Sequence, residues 1–405
     1  MIENIKPLTH CLCCNSDQLE LTLNLGQQPL ANSFLLDPSA NELTFPLILN
    51  RCQRCSHLQL SHAVNPDLLF RNYLYVSGTS QTMREYFNWF ARETMSYYPN
   101  AKTVLDIACN DGSQLDSFKS LGLVTYGIDP AENLYAISSV NHSVVCDYFT
   151  DKYVGMLRQN NQHFDIITAQ NVFAHTSYPL EFLTQCQDIM HDDSVLFIQT
   201  SQADMIKNNE FDTIYHEHLS FFCANSMNEL ASRANLNLID IRKTSIHGNS
   251  YVFVFGKKQK PAPRVADIIA AERELGLQES LTYQKYAKKC YDIITQLKET
   301  IAEYKSNGYI IVGYGAAAKG MTLVNFGDIH LNFVIDDNPL KQGRFTPGTH
   351  NPVVGIDELD KYQNFNIAFI PLAWNFFDEI CQKIKIKRNN INDVFIQYFP
   401  TIKVR

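Results

Sequence analysis

Between positions 103 and 199 short apolar runs alternate with helix-length stretches, and nothing else in the chain limits its fold as strongly. Residues 103–108, 125–128, 165–169 and 194–199 read as strands, each separated from the next by a helix-length stretch. Strands joined by crossover helices pair in parallel, so the pattern predicts a parallel sheet covered on both faces. Residues 236–242 and 251–256 read as an antiparallel addition to it. The polar, proline-bearing stretch 257–264 reads as a linker, and a long helical pattern, best between Glu279 and Tyr304, stops at Asn307-Gly308. A second alternation follows at 309–314, 333–335, 367–371 and 394–399. The expected class is α/β, with two Rossmann-like sheets behind an irregular N-terminal segment.

A chain of 405 residues exceeds one ordinary domain. Its 45% apolar content supplies real cores, and a net charge of -8 argues against nucleic acid as a partner. No run approaches about 18 uninterrupted apolar residues, and Met1 to His10 carries no apolar stretch of signal-peptide type. Of 11 cysteines, those beyond position 60 are scattered singly, which favours a reducing compartment. A cytoplasmic protein with no membrane partner is expected, and the domain sizes suit a monomer.

The cysteines that do cluster form two C-x2-C knuckles, Cys11 with Cys14 and Cys52 with Cys55. Four thiolates presented tetrahedrally close the coordination shell of a structural zinc, and metal binding supplies folding free energy to a segment short of apolar core. Cys13 is an alternative ligand to its neighbours, and His57 and His62 are weaker ones. A catalytic metal or free redox thiols are the competing readings.

The first strand of the main alternation runs into Val104-Leu105-Asp106-Ile107-Ala108-Cys109-Asn110-Asp111-Gly112. Gly112 permits close approach of the backbone to a ligand, and the helix N-terminus behind it can receive a carboxylate. Asp129, ending the next strand, is placed to accept both hydroxyls of a ribose. The turn lacks G-x-G-x-x-G, so no glycine pair seats a pyrophosphate and a nicotinamide cofactor is disfavoured. S-adenosylmethionine has no pyrophosphate, and its cationic groups suit acids such as Asp106. Asn110 belongs to the same turn; Asp147 is expected at the adenine amino group, and Gln170 with Asn171 at the methionine end. Strand-end acids serving only as turn formers are the alternative.

Tyr215-His216-Glu217-His218 concentrates titratable groups. Histidines two apart diverge on a helix, so this is no H-E-x-x-H zinc site. As an extended segment it would place Tyr215 and Glu217 on one side and both histidines on the other, so a loop is needed to converge them. For His216 an ordinary core role is expected.

Taken in order, the double C-x2-C segment, D-I-A-C-N-D-G, N-V-F-A-H, Y-H-E-H-L-S-F-F and the later G-Y-G-A-A-A-K-G resemble the sugar C-methyltransferases. That family acts on nucleotide-linked 4-keto sugars, and the resemblance covers essentially the whole chain. It implies a zinc-binding domain at 1–70, an S-adenosylmethionine-dependent methyltransferase domain at 71–260 and a C-terminal α/β nucleotide-sugar-binding domain at 261–405. It also implies that His175, Tyr215, Glu217 and His218 lie in the active site. A tyrosine of Tyr73-Leu74-Tyr75-Val76-Ser77 reaches the sugar, Tyr75 ahead of Tyr73, with Ser77 also on the substrate side. The extra histidine, His216, departs from the family's stretch and leaves its register open.

On that resemblance the acceptor is expected to be a carbon, carbon 3 by preference, of a nucleotide-linked 4-keto-hexose. His218 is expected to remove the acidic proton, Glu217 to orient it or a sugar hydroxyl, and Tyr215 and His175 to stabilise the oxyanion. Gly315 and Lys319, in a turn that opens a helix, are expected to meet pyrophosphate or sugar, with an empty tight turn as the alternative. Sugar O-methylation and NAD-dependent oxidation of a nucleotide sugar are the competing activities.

Overall fold

The computed structural model describes residues 4–405 except 71–75, 80, 202–204, 245 and 247–249. The chain forms two compact units, neither continuous in sequence: 1–20, 50–203 and 217–278 build the first, and 21–49, 204–216 and 279–405 the second.

The first unit is organised by a seven-stranded sheet of β1 (Thr103–Ile107), β2 (Val124–Ile128), β3 (Ser143–Val145), β4 (Phe164–Gln170), β5 (Met190–Ser201), β6 (Asn237–Thr244) and β7 (Ser250–Gly256), in the order β3-β2-β1-β4-β5-β7-β6. Strands β1 to β5 pair in parallel, and β7 inserts antiparallel between β5 and β6. The sequence expectation holds for every one of these strands except β3, whose three residues Ser-Val-Val are too short to show a period.

Both faces are covered, which is why the central strands read as nearly unbroken apolar runs. Side chains alternate between the faces along each strand. Val195 and Phe197 join Val104, Ile166, Val252 and Val254 in a core with Phe87 and Phe90 of helix α1 (Gln81–Tyr97) and Leu115 and Phe118 of α2 (Ser113–Ser120). Leu196 and Ile198 point the other way, into a core with Val154 of α3 (Asp151–Gln159) and Leu183 of α4 (Pro179–Asp188).

The order of strands reverses between β1 and β4: from β1 the chain first builds outward through β2 and β3, then returns to the other side. Crossovers on the two sides run over opposite faces, leaving a crevice outside the carboxyl ends of β1 and β4, where open α/β sheets bind ligands.

In the second unit β8 (Ile310–Tyr314), β9 (Phe333–Ile335), β10 (Val353–Val354), β11 (Ile367–Pro371), β12 (Val394–Gln397) and β13 (Lys403–Val404) follow the order β10-β9-β8-β11-β12-β13, parallel except for the last pair. The long helix α5 (Ser280–Ser306) precedes this sheet, as the helical period predicts. Among the described residues no helix is long and apolar enough to cross a membrane.

Arg388, at the end of helix α6 (Phe377–Lys387), has no exposed side-chain surface. Its guanidinium bonds Asp393 at 2.8 Å and the carbonyls of Tyr362 and Phe365 at 2.8 and 2.7 Å. Asp393 in turn accepts the amide of Ile367, the first residue of β11, at 2.9 Å. Arg388→Met leaves that carboxylate buried and unpaired, so the thermal midpoint should fall by the equivalent of about 3 kcal/mol.

Candidate active site and zinc centre

Cys11, Cys14, Cys52 and Cys55 bring their sulfurs within 4.8 Å of one another. Two of the separations are 3.6 Å (Cys11 to Cys55) and 3.5 Å (Cys14 to Cys52). A tetrahedron with Zn–S of about 2.3 Å has edges of about 3.8 Å, so the set fits zinc with its shell closed. All four are buried and unoxidised. The alternatives fall away geometrically: Cys13 is not part of the cluster, its carbonyl instead accepting a bond from Arg233. The His57 ring faces Phe222 at 4.9 Å, with Nε2 3.2 Å from Ser220 Oγ, and His62 pairs with Ser61.

The zinc knuckles connect to the candidate catalytic segment through a short ladder. Strand Leu58–Leu60, three residues past Cys55, pairs antiparallel with Ser220–Phe221, and Leu60 N–H donates to Leu219 O at 2.9 Å. This ladder holds the end of the segment that carries Glu217 and His218, both buried. That segment is irregular, as convergence of its side chains requires, with a turn at His216–Glu217.

His175 arrives from the other direction, on a short 3-10 turn (Phe173–His175) just beyond β4. Its ring stacks between two others: Phe70 at 5.3 Å and 8°, and His218 at 5.3 Å and 28°. Burial pulls the His175 pKa down to about 4, so at neutral pH it is an uncharged imidazole that can donate one hydrogen bond.

Tyr215 and His216 belong to the second unit, whereas Glu217 and His218 belong to the first. His216 has the core role expected: it is buried, its Nε2 lies 3.3 Å from Phe45 O, and desolvation lowers its pKa to about 4. Tyr73 and Tyr75 lie outside the described residues.

At the carboxyl ends of β1 and β2 the backbone leaves the ordinary regions at Ala108, Asn110 and Gly112, with φ of 60°, 52° and 83°. Asp129 holds the turn, accepting Asn110 N–H at 2.9 Å and Ala131 N–H at 2.8 Å. Burial raises its pKa against those two bonds. Asn110 Oδ1 accepts Ser77 N–H at 2.9 Å, which brings Ser77 to this turn.

Asp106 is more deeply placed: burial, reinforced by the charge of Asp129, raises its pKa to about 7 against a 2.6 Å bond from Thr168. A carboxyl so poised is readily ionised by a nearby cation. Asp147 follows β3, half-buried, and Asn171, with φ of 54°, follows β4 and donates its N–H to Gln199 O at 3.0 Å. Gln170 Nε2 bonds Gln114 Oε1. Thus Asp106, Asn110, Gly112, Asp129, Asp147, Gln170 and Asn171 all lie at or near the carboxyl ends of β1 to β4.

In the second unit Gly315 (φ 90°) turns sharply against Ala373; a Cβ there would lie 2.8 Å from the Ala373 Cβ. The amides of Gly315 and Ala316 are already taken, by Ile335 O and Asp336 Oδ2 at 2.7 Å each, which fits the tight-turn reading. Lys319 lies 5.2 Å from the Trp374 ring centroid, and the Trp374 indole donates to buried Asp212 at 2.8 Å. Burial raises Asp212 to about 7, opposed by the Lys319 charge. Sequence reasoning missed Asp212, Thr168 and Gln199 because what marks each of them, a partner or a register neighbour, is distant in sequence.

Sheet order, strand-end acids and a closed four-cysteine clip define the class: a Rossmann-like methyltransferase with a structural zinc. Comparison with known proteins sharpens it. A family model described as "Putative zinc binding domain" matches residues 11–70, one described as a methyltransferase domain matches 80–241, and one described as a C-methyltransferase C-terminal domain matches 245–400. The C-methyltransferase NovU of Streptomyces niveus is 27% identical over 398 residues, 95% of this chain and 94% of that protein. A ubiquinone biosynthesis O-methyltransferase of Glaesserella parasuis is 32% identical over only 107 residues, 24% of this chain and 45% of that protein. A solved SAM dependent methyltransferase from Archaeoglobus fulgidus, 15% identical, covers 43% of this chain and 94% of its own with a TM-score of 0.36, a likeness too weak to bear on function. Three models matched in this order, with NovU alike along nearly the whole chain, support an S-adenosylmethionine-dependent C-methyltransferase.

Two outcomes follow. Cys52→Ser should drop bound zinc, read by elemental analysis, from about one per chain toward none, and lower the thermal midpoint. For His175, the unfolded chain takes up its proton near the ordinary histidine value of 6.5, the folded one only near 4. The native state should therefore lose stability as pH falls through that window, by something of order 3 kcal/mol, and be unaffected above it. Denaturation midpoints between pH 7 and 4 should show a shallower decline for His175→Phe.

Proposed function

We propose that the acceptor is carbon 3 of a nucleotide-linked 4-keto-hexose, methylated through an enolate in deoxysugar or branched-sugar biosynthesis. The observation that carries this reading is the stacked imidazole pair of His175 and His218, beside buried Glu217 and next to the strand ends that bear the candidate donor-binding acids. Oxygen methylation needs only a base near a hydroxyl. Carbon methylation needs a proton taken from carbon and a place for the resulting oxyanion, and two adjacent imidazoles, one of them neutral at working pH, suit those two tasks.

Bound S-adenosylmethionine supplies an electrophilic methyl group. Asp129 receives its ribose, Asp147 its adenine amino group, and Gln170 with Asn171 its methionine end. The His218 ring takes the proton from carbon 3; the electron pair of that bond moves into an enolate whose oxygen is the former ketone. His175 donates a hydrogen bond to that oxygen, worth about 3 kcal/mol where water is excluded. Carbon 3 then bonds to the methyl carbon as the carbon–sulfur bond breaks toward sulfur, and His218 returns its proton to solvent. Glu217 orients the His218 ring or a sugar hydroxyl.

Enolate formation can be read without methyl transfer. With S-adenosylhomocysteine in place of the donor, a nucleotide 4-keto-6-deoxyhexose in deuterated water should exchange its carbon 3 proton, seen by NMR. His218→Asn should lose both exchange and turnover by at least a thousandfold while keeping donor affinity. No exchange by the native protein across a panel of such sugars would remove the keto-sugar reading.

A further inference from the structure

Gln199 is fully buried near the carboxyl end of β5, yet among the described residues neither atom of its amide has a hydrogen-bond partner; Gln170 Oε1 is likewise buried and unpartnered among them. Unsatisfied amide groups in a packed interior are costly and uncommon, and they cluster where something else is to be bound.

The sheet brings the two together. Gln199 and Gln170 are register partners on the parallel strands β5 and β4. Their spacing along the strands puts them on the face of Val195, Phe197 and Ile166, beneath α1 and α2. Gln170 spends its Nε2 on Gln114 of α2, and Gln114 spends its own on Phe87 O of α1. What has no partner at this edge is the amide nitrogen of Gln199, with its two N–H groups, and the Oε1 atoms of Gln199 and Gln170. Asn171, whose N–H donates to Gln199 O at 3.0 Å, fixes the backbone at the same place.

An amide NH2 beside two acceptor oxygens, all uncharged, matches a zwitterion: a carboxylate to take the amide N–H groups and an ammonium to give to both carbonyl oxygens. A plain anion would leave the two acceptors facing negative charge, and a plain cation would leave the donor unused. The methyl donor of this enzyme ends in an α-amino acid group, and β4 borders the switch point where it belongs. We propose that Gln199, together with Gln170, receives the α-amino acid end of S-adenosylmethionine, making Gln199 a donor-binding and positioning residue. The inference does not rest on the identity of the acceptor.

The test compares two ligands by calorimetry on the full chain. S-adenosylhomocysteine carries the amino acid end; 5′-methylthioadenosine lacks it. Gln199→Met, close in volume and without the amide, should weaken S-adenosylhomocysteine at least tenfold and leave methylthioadenosine within twofold. Because the substitution also removes unsatisfied polar atoms from the interior, the ligand-free thermal midpoint should hold or rise. Unchanged affinity for S-adenosylhomocysteine overturns the assignment. An equal loss for both ligands also overturns it, since the amide would then be supporting the fold and not the amino acid end. Should the methionine variant fail to fold, Gln199→Asn, which keeps an amide but withdraws it by one methylene, is read by the same pair of ligands with the same outcomes.

Discussion

Four cysteine sulfurs drawn to one metal ion hold the first unit's candidate site in place, in a closed shell that leaves no position for a substrate. The knuckle ending at Cys55 leads directly into Leu58–Leu60, which pairs with Ser220–Phe221, and two residues before that pairing stands His218. Two residue pairs are a short ladder, and alone would not hold a loop against its own entropy. Here one side of the ladder is tethered by metal coordination, and the knuckle carbonyls are also gripped from helix Ala224–Arg233, Cys55 O by Asn225 and Cys13 O by Arg233. The irregular segment can therefore keep Glu217 and His218 buried without helix or strand of its own.

The two sheets solve the same problem with the same part. In each, the first strand ends in a turn that an acid from the second strand's end ties down through a backbone amide: Asp129 holds Asn110, and Asp336 holds Ala316. In the first unit the turn continues into acids and amides at the switch point. In the second, the glycine presses on Ala373 and small alanines follow it; in both turns backbone amides are taken internally, Ala108 by Ile128 O and Gly315 by Ile335 O at 2.7 Å each. A shared strand order thus does not imply a shared ligand; what differs is the side chains the turn carries, Asn110 and Asp111 in the first and Ala316 and Ala317 in the second.

Much of this architecture is legible in the sequence. Phe333–Ile335 and Ile367–Pro371 are read to the residue, because fully buried parallel strands are short apolar runs with sharp ends. The zinc ligands are legible too, since paired C-x2-C spacing is a local signal. What escapes is whatever depends on register between distant strands. Gln199 looks like an ordinary polar end to an apolar run, and only its alignment with Gln170 on β4 shows that its amide is stranded. Asp212 escapes for the same reason, its partner Trp374 being 162 positions away. For the His216 to His218 stretch, alternation alone cannot reveal a turn at His216–Glu217.

The chain passes from one compact unit to the other five times, at 20/21, 49/50, 203/204, 216/217 and 278/279. Neither unit corresponds to a stretch that could be excised with two cuts. A fragment trimmed to the methyltransferase match at 80–241 would discard Leu58–Leu60, which the Ser220–Phe221 strand needs, and would carry 204–216 as an orphan of the other unit. Swapping modules between relatives of this enzyme is therefore a matter of interlaced segments, in which a hybrid joined at a single point inherits half of each scaffold.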